Sequence, residues 1–277
     1  MMLVSLLQPG NIVTAVLAAV LGLLAGPRVT WAIRAWPGHE AFDSRYLKCS
    51  TCAGGLRRGC YNAGVAQDYV FATVTMLLAF LSVWYYGVGS KAIFSWIFAT
   101  ACLIITVVDY RYLIIPDKLS INGFYIGLLY HGVIALWISY GGGTPPEYYL
   151  PFRDSLFGFL LGGGFLWALR AGAWIILKKE GMGGGDIKLL ATMGAWLGYQ
   201  PVVGIIIVAS MLGTIGGIGQ ILVNRLIYGK KYRPFSHMIP FGPYLCLGFL
   251  LIFYAGMEPL WWLMEQYQRW LEAHLMR

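Results

Sequence analysis

The chain has 277 residues, 58% of them apolar and 12% charged, about half the charged fraction of a water-soluble domain. With 36 glycines, 11 tryptophans and a mean hydropathy of +0.66, this composition excludes collagenous, disordered and disulfide-rich secreted classes and points to an all-α polytopic membrane protein. The net charge of +8 can be interpreted only once the basic residues have been located.

A bilayer core takes about 20 apolar residues per helix. Runs of that kind recur between short polar breaks and predict eight spans, at 11–33, 69–87, 92–109, 119–140, 154–177, 185–199, 201–223 and 239–256. The sixth is short and opens in glycines, so it is expected to be tilted, half-inserted or buried among the others. No Lys or Arg precedes the first span and no small-residue cleavage site stands out after it, so a cleaved signal peptide is not expected. If the segment 34–68 is cytoplasmic, alternation puts the breaks at 110–118, 178–188 and 224–238 on the same side. That side then holds 15 of the 20 basic residues. The other holds Lys91, Arg153, Arg269 and Arg277, and Arg170 falls inside a span. By the positive-inside rule the large basic side is cytoplasmic, and both ends of the chain face outward. The charge is thus a topology and anionic-lipid signal, and no nucleic-acid partner is implied. Beyond Pro259, the run Leu260–Met264 with Tyr267, Trp270 and Leu271 predicts an amphipathic helix in the outer interface.

Ionisable groups at membrane depth are costly and tend to be kept for a purpose. Of twelve carboxylates, most fall in loops or the tail, including Glu180 beside Lys178 and Lys179. Asp109, Asp117 and Asp186 remain. Asp109 follows Ile104-Ile105-Thr106-Val107-Val108 at the cytoplasmic end of the third span. Its simplest alternative role is a helix-end charge paired with Arg111. Asp186 closes Gly183-Gly184-Gly185-Asp186 and opens the sixth span, where a short acceptor side chain reads as an N-cap. Capping and catalysis are compatible. Three glycines without side chains let an extended peptide approach the backbone closely, so Gly183, Gly184 and Gly185 are candidate substrate-binding residues. A flexible loop is the plainer reading of the same glycines.

Two carboxylates at one membrane depth form the arrangement used in aspartic proteolysis. One ionised acid takes a proton from water while the other, protonated, polarises the scissile carbonyl. No cofactor is required. The histidines at 39, 131, 237 and 274 lack metalloprotease spacing, and neither a G-x-S-x-G elbow nor a P-loop occurs. The competing classes are an intramembrane aspartic protease with another substrate and a cation-coupled transporter whose carboxylates bind the ion. The second predicts neither the glycine strip nor two acids at the same depth.

Three blocks together resemble one family: Val108-Asp109-Tyr110-Arg111 through Pro116-Asp117, then Gly183-Gly184-Gly185-Asp186-Ile187-Lys188, then Ile239-Pro240-Phe241-Gly242-Pro243-Tyr244-Leu245. The chain resembles the type IV prepilin peptidases, or leader peptidases, of bacterial type IV pilus and type II secretion systems. The G-x-G-D element alone is shared with presenilin-type intramembrane proteases. The resemblance implies that Asp109 and Asp186 are the catalytic pair and that Asp117 is structural or secondary. It implies removal of a short basic leader from prepilins or pseudopilins, after a glycine, at the cytoplasmic face of the inner membrane. The spans and loops divide the chain into 1–68, a first span with a cysteine-containing cytoplasmic loop, and 69–277, expected to be a membrane-embedded aspartic peptidase domain ending in the interfacial helix.

Many members of the resembled family also methylate the new N-terminus with S-adenosylmethionine and carry two Cys-x-x-Cys pairs in the first cytoplasmic loop. Here Cys49 and Cys52 form one pair, while Cys60 is followed by Ala63 where its partner would stand. Tetrahedral zinc takes four ligands, so a structural zinc on Cys49, Cys52 and Cys60 would need His39, Asp43 or water as the fourth. Methylation rests on the resemblance alone. Cys102 and Cys246, inside spans, are expected to be buried packing residues.

Overall fold

The computed structural model describes residues 9–35, 65–178, 183–226 and 240–275. Among them are nine α-helices: α1 (Pro9–Ala35), α2 (Val65–Tyr86), α3 (Ser90–Tyr112), α4 (Asp117–Ser139), α5 (Phe152–Leu177), α6 (Gly184–Leu197), α7 (Tyr199–Leu226), α8 (Gly242–Ala255) and α9 (Glu258–Leu275). There is no strand among the described residues, as expected of backbone that must satisfy its hydrogen bonds internally in lipid.

Each of the eight sequence-predicted spans is a helix, but they are not equally long. Among the described residues, six helices are long and apolar enough to cross a membrane. The sixth and eighth spans are the 14-residue α6 and α8, about 21 Å each at the α-helical rise, well short of a 30 Å core. The short α6 agrees with the expectation of a tilted, half-inserted or buried sixth span, whereas α8 is shorter than the run read from the sequence. α8 reaches spanning length only together with α9, from which it is bent by 93°, making seven. Gly256, with φ of +70°, lies at that bend and returns its N–H to the Ile252 carbonyl at 3.0 Å.

The chain divides into two compact units, one of residues 1–119 and 134–149, the other of 120–133 and 150–277. In the first, α1 lies against α2 through small residues. A Cβ on Gly22 would stand 2.6 Å from the Thr75 carbonyl oxygen, and one on Gly26 would run into Ala72. Close backbone approach through small residues replaces the hydrophobic drive that lipid does not supply. The buried Thr75 hydroxyl lies within donating distance of the Gly22 carbonyl, 3.0 Å away, and of the Phe71 carbonyl in its own helix, 2.9 Å away. Val29, Ala32 and Ile33 of α1, Phe71 of α2, and Ile104 and Val108 of α3 form the core of this unit. Higher up, the buried Ser82 and Ser95 hydroxyls meet at 3.1 Å.

In the second unit α6 is the central element. Leu189, Leu190, Ala191, Met193, Gly194, Ala195 and Trp196 are buried on consecutive faces, the pattern of a helix enclosed on all sides. α5 meets it along glycines: a Cβ on Gly162 would lie 2.5 Å from the Leu190 carbonyl oxygen, and Gly158 and Gly194 touch backbone to backbone. Ser155 donates to the Ala195 carbonyl at 2.6 Å. From α4, Ser120 offers its carbonyl to the Thr192 hydroxyl, and Gly123 accepts the Trp196 indole N–H at 2.9 Å. Thus the short helix is held by polar bonds to neighbouring backbones as well as by packing. Cys102 and Cys246 are buried, at 5% and 1% exposure, as expected of packing thiols.

Candidate active site

Asp109 sits in the last turn of α3, where its backbone carbonyl accepts the Leu113 N–H at 2.8 Å. Leu113 has φ of +56° and ends the helix in the left-handed region, a conformation costing a non-glycine residue about 1–2 kcal/mol. The chain then runs through the buried Ile115 and Pro116. Pro116 caps α4, and its carbonyl accepts the Leu119 N–H at 3.0 Å. A proline cannot extend the preceding helix, and its fixed φ suits the start of the next. Asp117 is the first residue of α4. Asp109 is 5% exposed, next in sequence to the fully buried Val108 of the first unit's core.

Asp186 belongs to the second unit. It is the third residue of α6, not its N-cap: the cap is Gly183, in extended backbone, and no side chain caps the helix. The sequence expectation is corrected by three positions because Gly184 and Gly185 already take helical conformation. The functional consequence is the same, since a carboxylate in the first turn meets the free amides and positive end of the helix dipole. A Cβ on Gly183 would lie 3.5 Å from Asp186 Oδ2, so the carboxylate folds back over the glycine strip. Gly183, Gly184, Gly185 and Asp186 are therefore one local constellation. Asp109 has its own, at the opposite pole of a different helix. Of the third block, Pro240 to Leu245 lead into α8, with Gly242 buried and Pro243 in the first turn.

Cys49, Cys52 and Cys60, together with His39 and Asp43, lie outside the described residues. Within the described residues, no group of three His, Cys, Asp or Glu could hold a metal ion. The sequence reading did not identify Gly158 and Gly162, which seat α6 and thereby Asp186. Their signal was the spacing of four between small residues, the pattern of close helix pairs in membranes.

The sequence model of the type IV leader peptidase family matches residues 96–218, a stretch that contains both Asp109 and Asp186. The chain is 33% identical over 157 residues to the prepilin leader peptidase/N-methyltransferase of Escherichia coli K12, covering 56% of this chain and 60% of that protein. It is 30% identical over 210 residues to the protein of the same name from Aeromonas salmonicida A449, covering 76% and 65%. With the one from Pseudomonas aeruginosa it shares 29% over 232 residues, covering 80% and 68%. The match thus spans roughly three fifths to two thirds of these relatives' length. No solved structure matches. Residues 96–218 of this chain are thus similar to the type IV leader peptidase family.

Proposed function

We propose that this protein is a membrane aspartic endopeptidase that removes the basic leader from type IV prepilins or pseudopilins at the cytoplasmic face of the inner membrane. The observation that carries the reading is the contrast between the two family aspartates. Asp186 stands in the first turn of a helix and Asp109 in the last turn of another. A helix start favours a carboxylate and a helix end does not. Asp186 is accordingly the base and Asp109 the acid of the pair.

In the proposed reaction Asp186 accepts a proton from water, whose oxygen bonds to the scissile carbonyl carbon. Asp109 donates a hydrogen bond to the carbonyl oxygen as negative charge builds there. The tetrahedral intermediate collapses when the leaving nitrogen is protonated and the C–N bond breaks, and one carboxyl proton is again shared by the pair. Gly183, Gly184 and Gly185 present a strip free of side chains along which an extended peptide can lie. The basic side of the chain, with Arg111, Lys118, Lys178 and Lys188 at helix ends, fits the orientation in which both aspartates face the cytoplasm.

The methyltransferase half of the relatives' names is not carried into this mechanism. The loop offers three cysteines where tetrahedral zinc takes four ligands, and the proteolytic step itself uses only the two carboxyl groups and water. The experiment is intact-mass measurement of a prepilin incubated with the purified protein in detergent. Loss of the leader after a glycine is expected, and a methyl group on the new N-terminus would appear as an added mass in the same spectrum. An unchanged prepilin mass contradicts the peptidase reading.

A further inference from the structure

Arg170 lies inside the fifth span, and the reading of the pair above leaves it without a role. Its position follows from the seam between α5 and α6. Gly158 meets Gly194, and Gly162 meets the Leu190 carbonyl, so each step of four along α5 is matched by a step of four back along α6. The next step pairs Leu166, 3% exposed, with the level of Asp186. Arg170 is one turn further on. Helical side chains lean toward the N-terminus of their own helix, which directs Arg170 back to the level of Asp186. Contacts at the glycine strip agree: a Cβ on Gly184 would stand 3.0 Å from Arg170 Nη1, while one on Gly183 would stand 3.5 Å from Asp186 Oδ2. The guanidinium and the carboxylate therefore lie against neighbouring residues of the same strip.

A cation inside a membrane helix needs a counter-charge, and the described carboxylates of this unit offer one. Asp154 lies at the far end of α5, and Glu258, Glu265 and Glu272 belong to α9. Asp186 remains. We propose that Arg170 is the positioning residue of Asp186, pairing with its carboxylate through the side-chain-free Gly184 and so holding it ionised and oriented as the base. This rests on the reading of Asp186 as the base.

The other charged and titratable groups on elements packed against α6 are few. Lys188 is two residues along the same helix, a spacing at which side chains do not face each other. Lys178 of α5 lies 5.2 Å over the Trp174 ring. α4, which meets α6 through Ser120 and Gly123, carries Asp117 and Lys118 at its start and Tyr125, Tyr130 and the buried His131 further along, the last two beside the Trp196 ring at the other end of α6 from Asp186. α7 brings Tyr199, and α8 brings Tyr244, Cys246 and Tyr254.

Two measurements on the purified full chain test the pairing. The first is the pH profile of kcat/KM for prepilin cleavage. An adjacent opposite charge favours the ionised carboxylate, so Arg170→Gln should move the acid limb to higher pH by on the order of one unit. Arg170→Lys should restore most of the shift, and Gly184→Ala, which displaces the guanidinium, should reproduce part of it. Lys188→Gln should leave the limb where it is. An Arg170→Gln profile that superimposes on the wild type, or is only lowered uniformly, overturns the proposal. The second is a thermal-unfolding cycle over Arg170→Gln and Asp186→Asn, which needs no activity. The double variant should lose no more Tm than the worse single, whereas additive losses overturn the pairing. If wild-type protein cleaves nothing while the cycle is non-additive, the peptidase reading fails and the pairing stands.

Discussion

Gly162 of α5 lies so close to Leu190 of α6 that a single added carbon would stand 2.5 Å from the Leu190 carbonyl oxygen. Together with the contact between Gly158 and Gly194, this closeness fixes the height of α6, and hence of the aspartate in its first turn. Gly162→Val should force the two helices apart and destabilise the protein by about 1–3 kcal/mol, the usual cost of overpacking. Thermal unfolding in detergent measures it, with prepilin cleavage falling in parallel although both aspartates are intact. Gly164, where an added Cβ meets nothing within 4 Å, is the control: Gly164→Ala should leave unfolding and cleavage near wild type.

The polar bonds that tie α6 to α4 should be individually modest. Thr192 donates to the Ser120 carbonyl or to that of Lys188, 2.9 Å away, and Trp196 donates to Gly123 at 2.9 Å. Thr192→Val keeps the shape and removes the hydroxyl, and should cost about 1 kcal/mol. Trp196→Phe should cost more, since it leaves volume unfilled as well as a carbonyl unsatisfied. Unfolding curves that rank the two in the opposite order would contradict the role given to the indole.

Lys91 and Glu147 form an ion pair at 3.3 Å, with side chains 41% and 50% exposed. Pairs this accessible contribute about 0–1 kcal/mol. Glu147→Gln should therefore change neither Tm by more than about 2 °C nor cleavage measurably. A large loss would assign this loop a role that its exposure does not suggest.

Two carboxylates require no metal for proteolysis. Cleavage should survive prolonged treatment with a strong chelator, and its pH profile should be bell-shaped, with two limbs belonging to the coupled pair as a unit. Loss of cleavage on chelation, restored by added zinc, would contradict a metal-independent reaction.

The helices were legible in the sequence because length of apolar run is a strong signal. The described ends of α1 to α7 lie within four residues of those read from the sequence. What the run lengths could not convey was partnership. For α6 the run length left tilted, half-inserted and buried placements open, and full burial of Leu190 and Ala195 shows it enclosed by its neighbours. The site's residues were legible because acids are rare in such a chain and because three blocks matched a family in order. The neighbours of Asp186 were not, since Gly158, Gly162 and Arg170 become relevant only once α5 is laid antiparallel on α6. Asp186 was placed at the cap for a related reason: a run of glycines carries no side-chain periodicity from which to tell where a helix begins.

The central claim, that Asp109 and Asp186 act as one catalytic unit, is tested most directly by kcat/KM for prepilin cleavage in Asp109→Asn, Asp186→Asn and the double variant. Each single change should lower the rate at least a hundredfold, roughly the lower bound for losing a general acid or base, and the double should lie within about threefold of the worse single. Full cleavage by either single variant, or losses that multiply in the double, would contradict it.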